Sequence, residues 1–127
     1  MDDNDIAFAV KCFQKEKGNY TFEDFWSDLV EHKRRRPGVR SSYDPFILSS
    51  YAKNLWEVLN MSMREIVDRS KMSMADFARR FCIPYRTLQA WCDGTNECPI
   101  YTKLMICEIL GLLGKRSKYF TFPMPQQ

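Results

Sequence analysis

Two short stretches of helical periodicity, residues 73–81 and 85–92, stand back to back with only Cys82-Ile83-Pro84 between them. Proline stops a helix because its ring clashes with the preceding turn and its nitrogen carries no hydrogen. Ser73 opens the first stretch as an N-cap with Asp76 three residues on, a capping-box pattern, and Asp93-Gly94 closes the second. Helices this short do not persist alone, since nucleation costs more than a few hydrogen bonds return. They must bury a shared face. Phe77, Phe81, Leu88 and Trp91 recur at helical spacing and are expected to point inward. Ala78 is small where the two helices would cross, and Ile83 is placed to fill the turn. That leaves Tyr85, Arg86, Gln89 and Ala90 on the outward face of the second helix.

The rest of the chain reads as helix as well. Ile6, Ala9, Val10 and Phe13 form a stripe over residues 5–15, ended by Lys17-Gly18-Asn19. Thr21 with Asp24 opens a second helix, striped by Phe22, Phe25, Trp26, Leu29 and Val30, that runs into Lys33-Arg34-Arg35-Arg36. Pro37-Gly38 breaks the chain. Asp44-Pro45 then starts a third helix, carrying Phe46, Ile47, Tyr51, Leu55, Trp56 and Leu59, with an N-cap followed by proline at the first helical position. Ser62 with Glu65 caps a fourth, and residues 100–113 supply a last one with Leu104, Met105, Cys107, Ile109, Leu110 and Leu112 for packing. No period-2 alternation is long enough for a sheet, so the expected class is all-α. Hydrophobic residues at 45% against 28% charged suit a globular chain rather than a disordered one.

No apolar run reaches the ~18 residues that span a bilayer, and the opening Met1-Asp2-Asp3-Asn4-Asp5 is acidic where a secretory signal is basic. A cytoplasmic protein with no membrane partner is expected. The five cysteines, Cys12, Cys82, Cys92, Cys98 and Cys107, are odd in number and lack any CxxC pair. Reduced thiols, several of them buried, are the expectation. A zinc site from Cys82, Cys92 and Cys98 has neither tight spacing nor a nearby histidine in its favour. No cofactor and no catalytic activity are expected. The sole histidine, His32, sits beside a basic run, and no Gly-rich phosphate loop or paired-carboxylate motif occurs.

Net charge is only +3, but it is segregated. Residues 1–31 carry eight acids and three bases, residues 32–43 five bases and no acid, and residues 44–127 eleven bases and eight acids. An acidic N-terminal segment does not suit a phosphate backbone, whereas the later segments do. The run Lys33-Arg34-Arg35-Arg36 with Arg40 has three readings: cations at a helix C-terminus followed by solvated linker, an arm on nucleic acid, or a patch for an acidic partner.

Residues 70–91, Ser-Lys-Met-Ser-Met-Ala-Asp-Phe-Ala-Arg-Arg-Phe-Cys-Ile-Pro-Tyr-Arg-Thr-Leu-Gln-Ala-Trp, resemble the helix-turn-helix of the Cro/C1-type (XRE-like) family of phage repressors and bacterial regulators. The loop Asp93-Gly94-Thr95-Asn96-Glu97-Cys98-Pro99 resembles the family's link to its fourth helix. The resemblance covers residues 61–113 and leaves residues 1–60 outside it. It implies a lambda-repressor-like bundle behind an N-terminal helical extension. The break at Pro37-Gly38 and the start at Asp44-Pro45 divide the chain into an N-terminal helical segment with basic linker, residues 1–43, a helix-turn-helix domain with its preceding helix, residues 44–114, and a tail, residues 115–127. The resemblance also implies a sequence-specific regulator that inserts helix 85–92 into the major groove of double-stranded DNA, as a homodimer on a two-fold site. Tyr85, Arg86, Gln89 and Ala90 would then meet base edges, while Thr87, Arg79 and Arg80 hold phosphates. Arg34, Arg35 and Arg36 would add phosphate contacts if the basic run is an arm. Two positions depart from the family. Cys82 stands where many members have glycine, and Met74 where many have a phosphate-binding glutamine. The alternative is a protein-binding module. Residues 1–60 would engage a protein partner, as in antitoxins and phage inhibitors of host defence, with an autoregulatory helix-turn-helix behind them.

Overall fold

Seven helices and no strand make up the described part of a computed structural model, residues 3–15, 18–35 and 45–114. They are α1 (Asp3–Lys15), α2 (Phe22–Arg35), α3 (Pro45–Asn60), α4 (Met63–Ser70), α5 (Met74–Arg80), α6 (Tyr85–Asp93) and α7 (Ile100–Leu110). The fold is all-α. Among the described residues no helix is long and apolar enough to cross a membrane. The linker with Arg36 and Arg40, the expected N-cap Asp44, and the tail 115–127 lie outside the described residues.

Two compact units share the chain, one built from the described residues up to Leu59 with Leu113 and Gly114, the other from residues 60–112. In the first, α1 packs on α2. Thr21 and Asp24 cap α2 reciprocally: the Thr21 N–H donates to Asp24 Oδ2 at 3.1 Å and the Asp24 N–H to Thr21 Oγ1 at 3.3 Å. Tyr20 donates its hydroxyl to Asp28 Oδ2 at 2.6 Å, and burial together with that carboxylate pushes the phenol pKa up. Trp56 of α3 lies in an aromatic cluster with Phe13, Tyr20, Phe22 and Phe25, ring centroids 5.2–6.2 Å away. Those contacts move the expected division. Helix α3 belongs with the N-terminal helices, so the boundary falls between residues 59 and 60 rather than between 43 and 44. Only part of its stripe is core: Tyr51, Leu55 and Leu59 are buried, whereas Phe46 is exposed.

In the second unit α4 packs on α5, α6 and α7 around Met63, Ile66, Val67, Phe77, Ala78, Leu88, Ile106 and Cys107. Ser62 and Glu65 form a complete capping box on α4. On α5 the box is one-sided. Ser73 Oγ accepts from the Asp76 N–H at 3.1 Å, but the Asp76 carboxylate pairs with Arg79. Helix α7 ends at Leu110 and not at residue 113, because Gly111 turns left-handed at φ 79°. Beyond it the Leu113 carbonyl accepts from Asn54 Nδ2 at 3.1 Å, within the first unit.

Helices α5, α6 and α7 finish in the same way. One N–H reaches back five residues and the preceding one three: Ile83 to Ala78 and Cys82 to Arg79, Thr95 to Ala90 and Gly94 to Trp91, Leu112 to Cys107 and Gly111 to Glu108. This Schellman arrangement needs a left-handed residue at the turn. Glycine supplies it at 94 and 111, but Cys82 does so at φ 55°. A side chain there costs roughly 1–2 kcal/mol. Cys82→Gly relieves that cost and loses part of it to a freer unfolded chain, so a net gain of about 0.5–1 kcal/mol is expected. Urea denaturation of the two proteins measures it, and an unchanged or lower midpoint for Cys82→Gly would show that the turn is unstrained.

Candidate nucleic-acid interface

Helix α6 is held from beneath by Leu88, which is fully buried, with Trp91 half-buried beside it. One apolar anchor per turn fixes which face looks outward. Tyr85, Arg86 and Gln89 are all exposed on that outward face, while Thr87 and Ala90 are half-buried at its edges. Tyr85 leaves 47% of its surface open, unusual for a large aromatic residue in a small helical unit. At positions i, i+1 and i+4 these three side chains project from one patch near the start of the helix. Ala90 is partly tucked in and presents less of itself than the resemblance implies.

The start of α6 has a second property that the sequence pattern did not single out. Pro84 occupies the N-cap with φ −55° and ψ 135° and provides no side-chain acceptor. A helix's first N–H groups have no partner within the helix and carry its positive dipole end. No acid sits in this first turn, and Arg86 does. The signal was available in the sequence, because proline lacks the oxygen that Ser62 and Ser73 bring to the helices before it.

Arg79 and Arg80 close α5 and are exposed just ahead of the turn. Arg79 is engaged by Asp76 one turn back, so any other anion must compete with that carboxylate for it. Arg80 is the more available of the two by geometry. Arg64 of α4 reaches Asp93 Oδ1 at the end of α6, 3.7 Å away on the surface, and clasps the two helices. Met74 has a packing role. The Cys92 thiol lies 3.7 Å from its sulfur, so Met74 fills the space between the start of α5 and the end of α6. A glutamine there would be drawn toward water instead.

The basic run of the first unit divides by role. Lys33 Nζ lies 2.9 Å from Asp5 Oδ2, and the Asp5 side chain is wholly buried. Lys33 is therefore a structural cation of the α1–α2 pair. Arg34 and Arg35 are exposed and pair with Glu31 at 3.5 and 2.9 Å, one turn back on the same helix. These are ordinary surface pairs of small energy. Arg36 lies outside the described residues.

The thiols do not gather as metal ligands would: among the described residues no three His, Cys, Asp or Glu side chains come together in that way. Burial pushes the Cys98 and Cys107 thiols up to about 11 and the Cys92 thiol up as well, while it lowers the ammonium of Lys103 between them in sequence. Thiols so placed stay protonated near neutrality and are poor nucleophiles. Comparisons of the chain with protein-family models, curated proteins and solved structures found no match.

Proposed function

We propose that residues 60–112 form a sequence-specific module for double-stranded DNA, a transcriptional regulator of the Cro/C1 type that lays α6 in the major groove. One observation carries the reading: a short helix anchored by a buried leucine presents Tyr85, Arg86 and Gln89 together at its exposed, side-chain-uncapped beginning. Arginine can meet guanine and glutamine adenine through paired hydrogen bonds, each contributing about 1–3 kcal/mol of discrimination. The first-turn N–H groups of α6 and the side chains of Arg80 and Thr87 suit phosphates on either side. Arg79 joins them when it leaves Asp76. Arg34 and Arg35 add sequence-independent attraction only by leaving Glu31 in the same way. A helix of this length reads few base pairs, which favours a two-fold site read by two copies.

Selection of duplexes from a random pool, followed by titration of the winner at two salt concentrations, tests this. An enriched motif is expected. Arg86→Ala and Gln89→Ala should each relax the preference at one position by about 1–3 kcal/mol, whereas Arg80→Ala should weaken all sequences alike and flatten the salt slope by about one unit. No enrichment, or a preference untouched by the double variant, defeats the assignment.

A second reading adds a protein partner for the N-terminal unit, as in an antitoxin or a phage inhibitor of host defence. It is favoured by residues 3–59 having their own buried set, Ala9, Phe25, Leu29, Tyr51 and Leu55, apart from the DNA-reading unit. A stoichiometric complex recovered with the full chain, and kept by the Arg86→Ala variant, would support this second role.

A further inference from the structure

Helix α7 carries an apolar ridge that its own unit does not cover. Tyr101, Met105 and Ile109 are 70%, 57% and 58% exposed, and they are three of the five large hydrophobic residues exposed among the described ones. Their spacing of four residues places them along one face, over about 12 Å of helix. Helix α7 faces inward through Ile106 and Cys107 instead. A scattered exposed hydrophobe needs no explanation, but three on one ridge do.

We propose that this ridge pairs with the same ridge of a second copy of the chain, the two α7 helices running antiparallel about a two-fold axis at Met105. Charge selects this occupant. Between Glu97 and Lys115 the chain has only two charged residues, Lys103 and Glu108. Contacts between copies of one chain are more apolar than those between different proteins, whose rims are polar, and the ridge has few charges to pair with such a rim. Glu108 lies seven residues after Tyr101, at the margin of the exposed face. In a parallel pair it would meet its own copy, two like charges in an apolar contact. In the antiparallel pair Tyr101 meets Ile109, Met105 meets Met105, and Glu108 meets the hydroxyl of Thr102. The arrangement is self-complementary, as a two-fold contact has to be.

Area sets the strength. The exposed parts of the three side chains come to about 400 Å² per copy, half of the ~800 Å² per partner in a standard stable interface. The pair is thus weak and becomes complete when two copies sit on one DNA. That last step rests on the DNA reading above; the ridge-to-ridge contact does not.

Sedimentation velocity of the full chain without DNA, from about 10 to about 500 µM, tests the contact apart from that reading. A rise from monomer toward dimer is expected, abolished by Met105→Glu and by Ile109→Lys with unchanged helical circular dichroism. Under mild oxidation Met105→Cys should cross-link to itself, as mapped by peptide mass, whereas Ile109→Cys should not. A monomer at every concentration overturns the proposal, and so does a dimer that survives both charged variants. Self-cross-linking at 109 overturns the antiparallel geometry. None of these results touches DNA binding by a single copy.

Discussion

Phe77→Ala should unfold the 60–112 unit, or leave it so marginal that its helicity is lost near room temperature. Phe77 has no exposed surface, and its ring packs against Phe81 with centroids 4.8 Å apart. It is the largest fully buried side chain of a unit of some fifty residues. Truncating a buried phenylalanine costs about 3–5 kcal/mol, through lost transfer energy and the cavity left behind. A unit this small has little in reserve, because a short chain buries a smaller fraction of its surface on folding than a long one. Helix α5 has only seven residues and owes its existence to that contact. Urea denaturation followed through Trp91 fluorescence, in a background where Trp26 and Trp56 are phenylalanine, reports on this unit alone. Tyr85→Ala is the control, an exposed position expected to change stability by no more than about 0.5 kcal/mol. If Phe77→Ala lost less than about 1 kcal/mol, the packing of α5 on its neighbours described above would be wrong.

Asp5→Ala should have a comparable effect on the other unit. The Asp5 carboxylate is completely buried, with Lys33 Nζ at 2.9 Å and His32 Nε2 at 3.4 Å, and the His32 ring stacks on Phe8 at 4.1 Å. Removing the anion leaves a mostly buried ammonium without this counter-charge, a change that costs about 3–5 kcal/mol. Part of that is recoverable if the long Lys33 side chain bends its charge toward water. A pair of this kind is a better lock than a stabiliser, since forming it means stripping two ions of water. Asp5→Leu combined with Lys33→Met should therefore restore most of the stability that Asp5→Ala removes. Thermal denaturation of the three variants decides it. A double variant as unstable as the single one would mean that Asp5 acts through something other than its charge.

Much of the second unit is legible in the sequence. Ser62 with Glu65, Ser73, Pro84 and Gly94 are local signals, and each acts through the backbone of its own few residues. The structure places helix ends there within a residue or two. Tyr85, Arg86 and Gln89 could be assigned outward because Leu88 sits between them and takes the inward direction. The misread features are of another kind. Asp5 looked like one more acid in an acidic terminus, and Lys33 like one more base in a basic run. Their meeting spans 28 residues, and no local pattern announces it. Met105 and Ile109 look like core residues because hydropathy does not record which side of a helix finds a neighbour. Met74 was read for a contact it lacks, when its sulfur instead packs against Cys92.

The amino-acid sequence by itself determined that this protein is helical, where most of its helices begin and end, and that two short helices flank a tight turn. Caps, prolines and glycines act over one turn of chain, and their energies do not depend on what lies elsewhere. Only the tertiary structure decided that α3 belongs with the N-terminal helices, that Lys33 serves a buried aspartate rather than the surface, and that α7 leaves one apolar ridge open. Those outcomes depend on which faces meet. That is settled by desolvation and close packing summed over segments far apart in the chain.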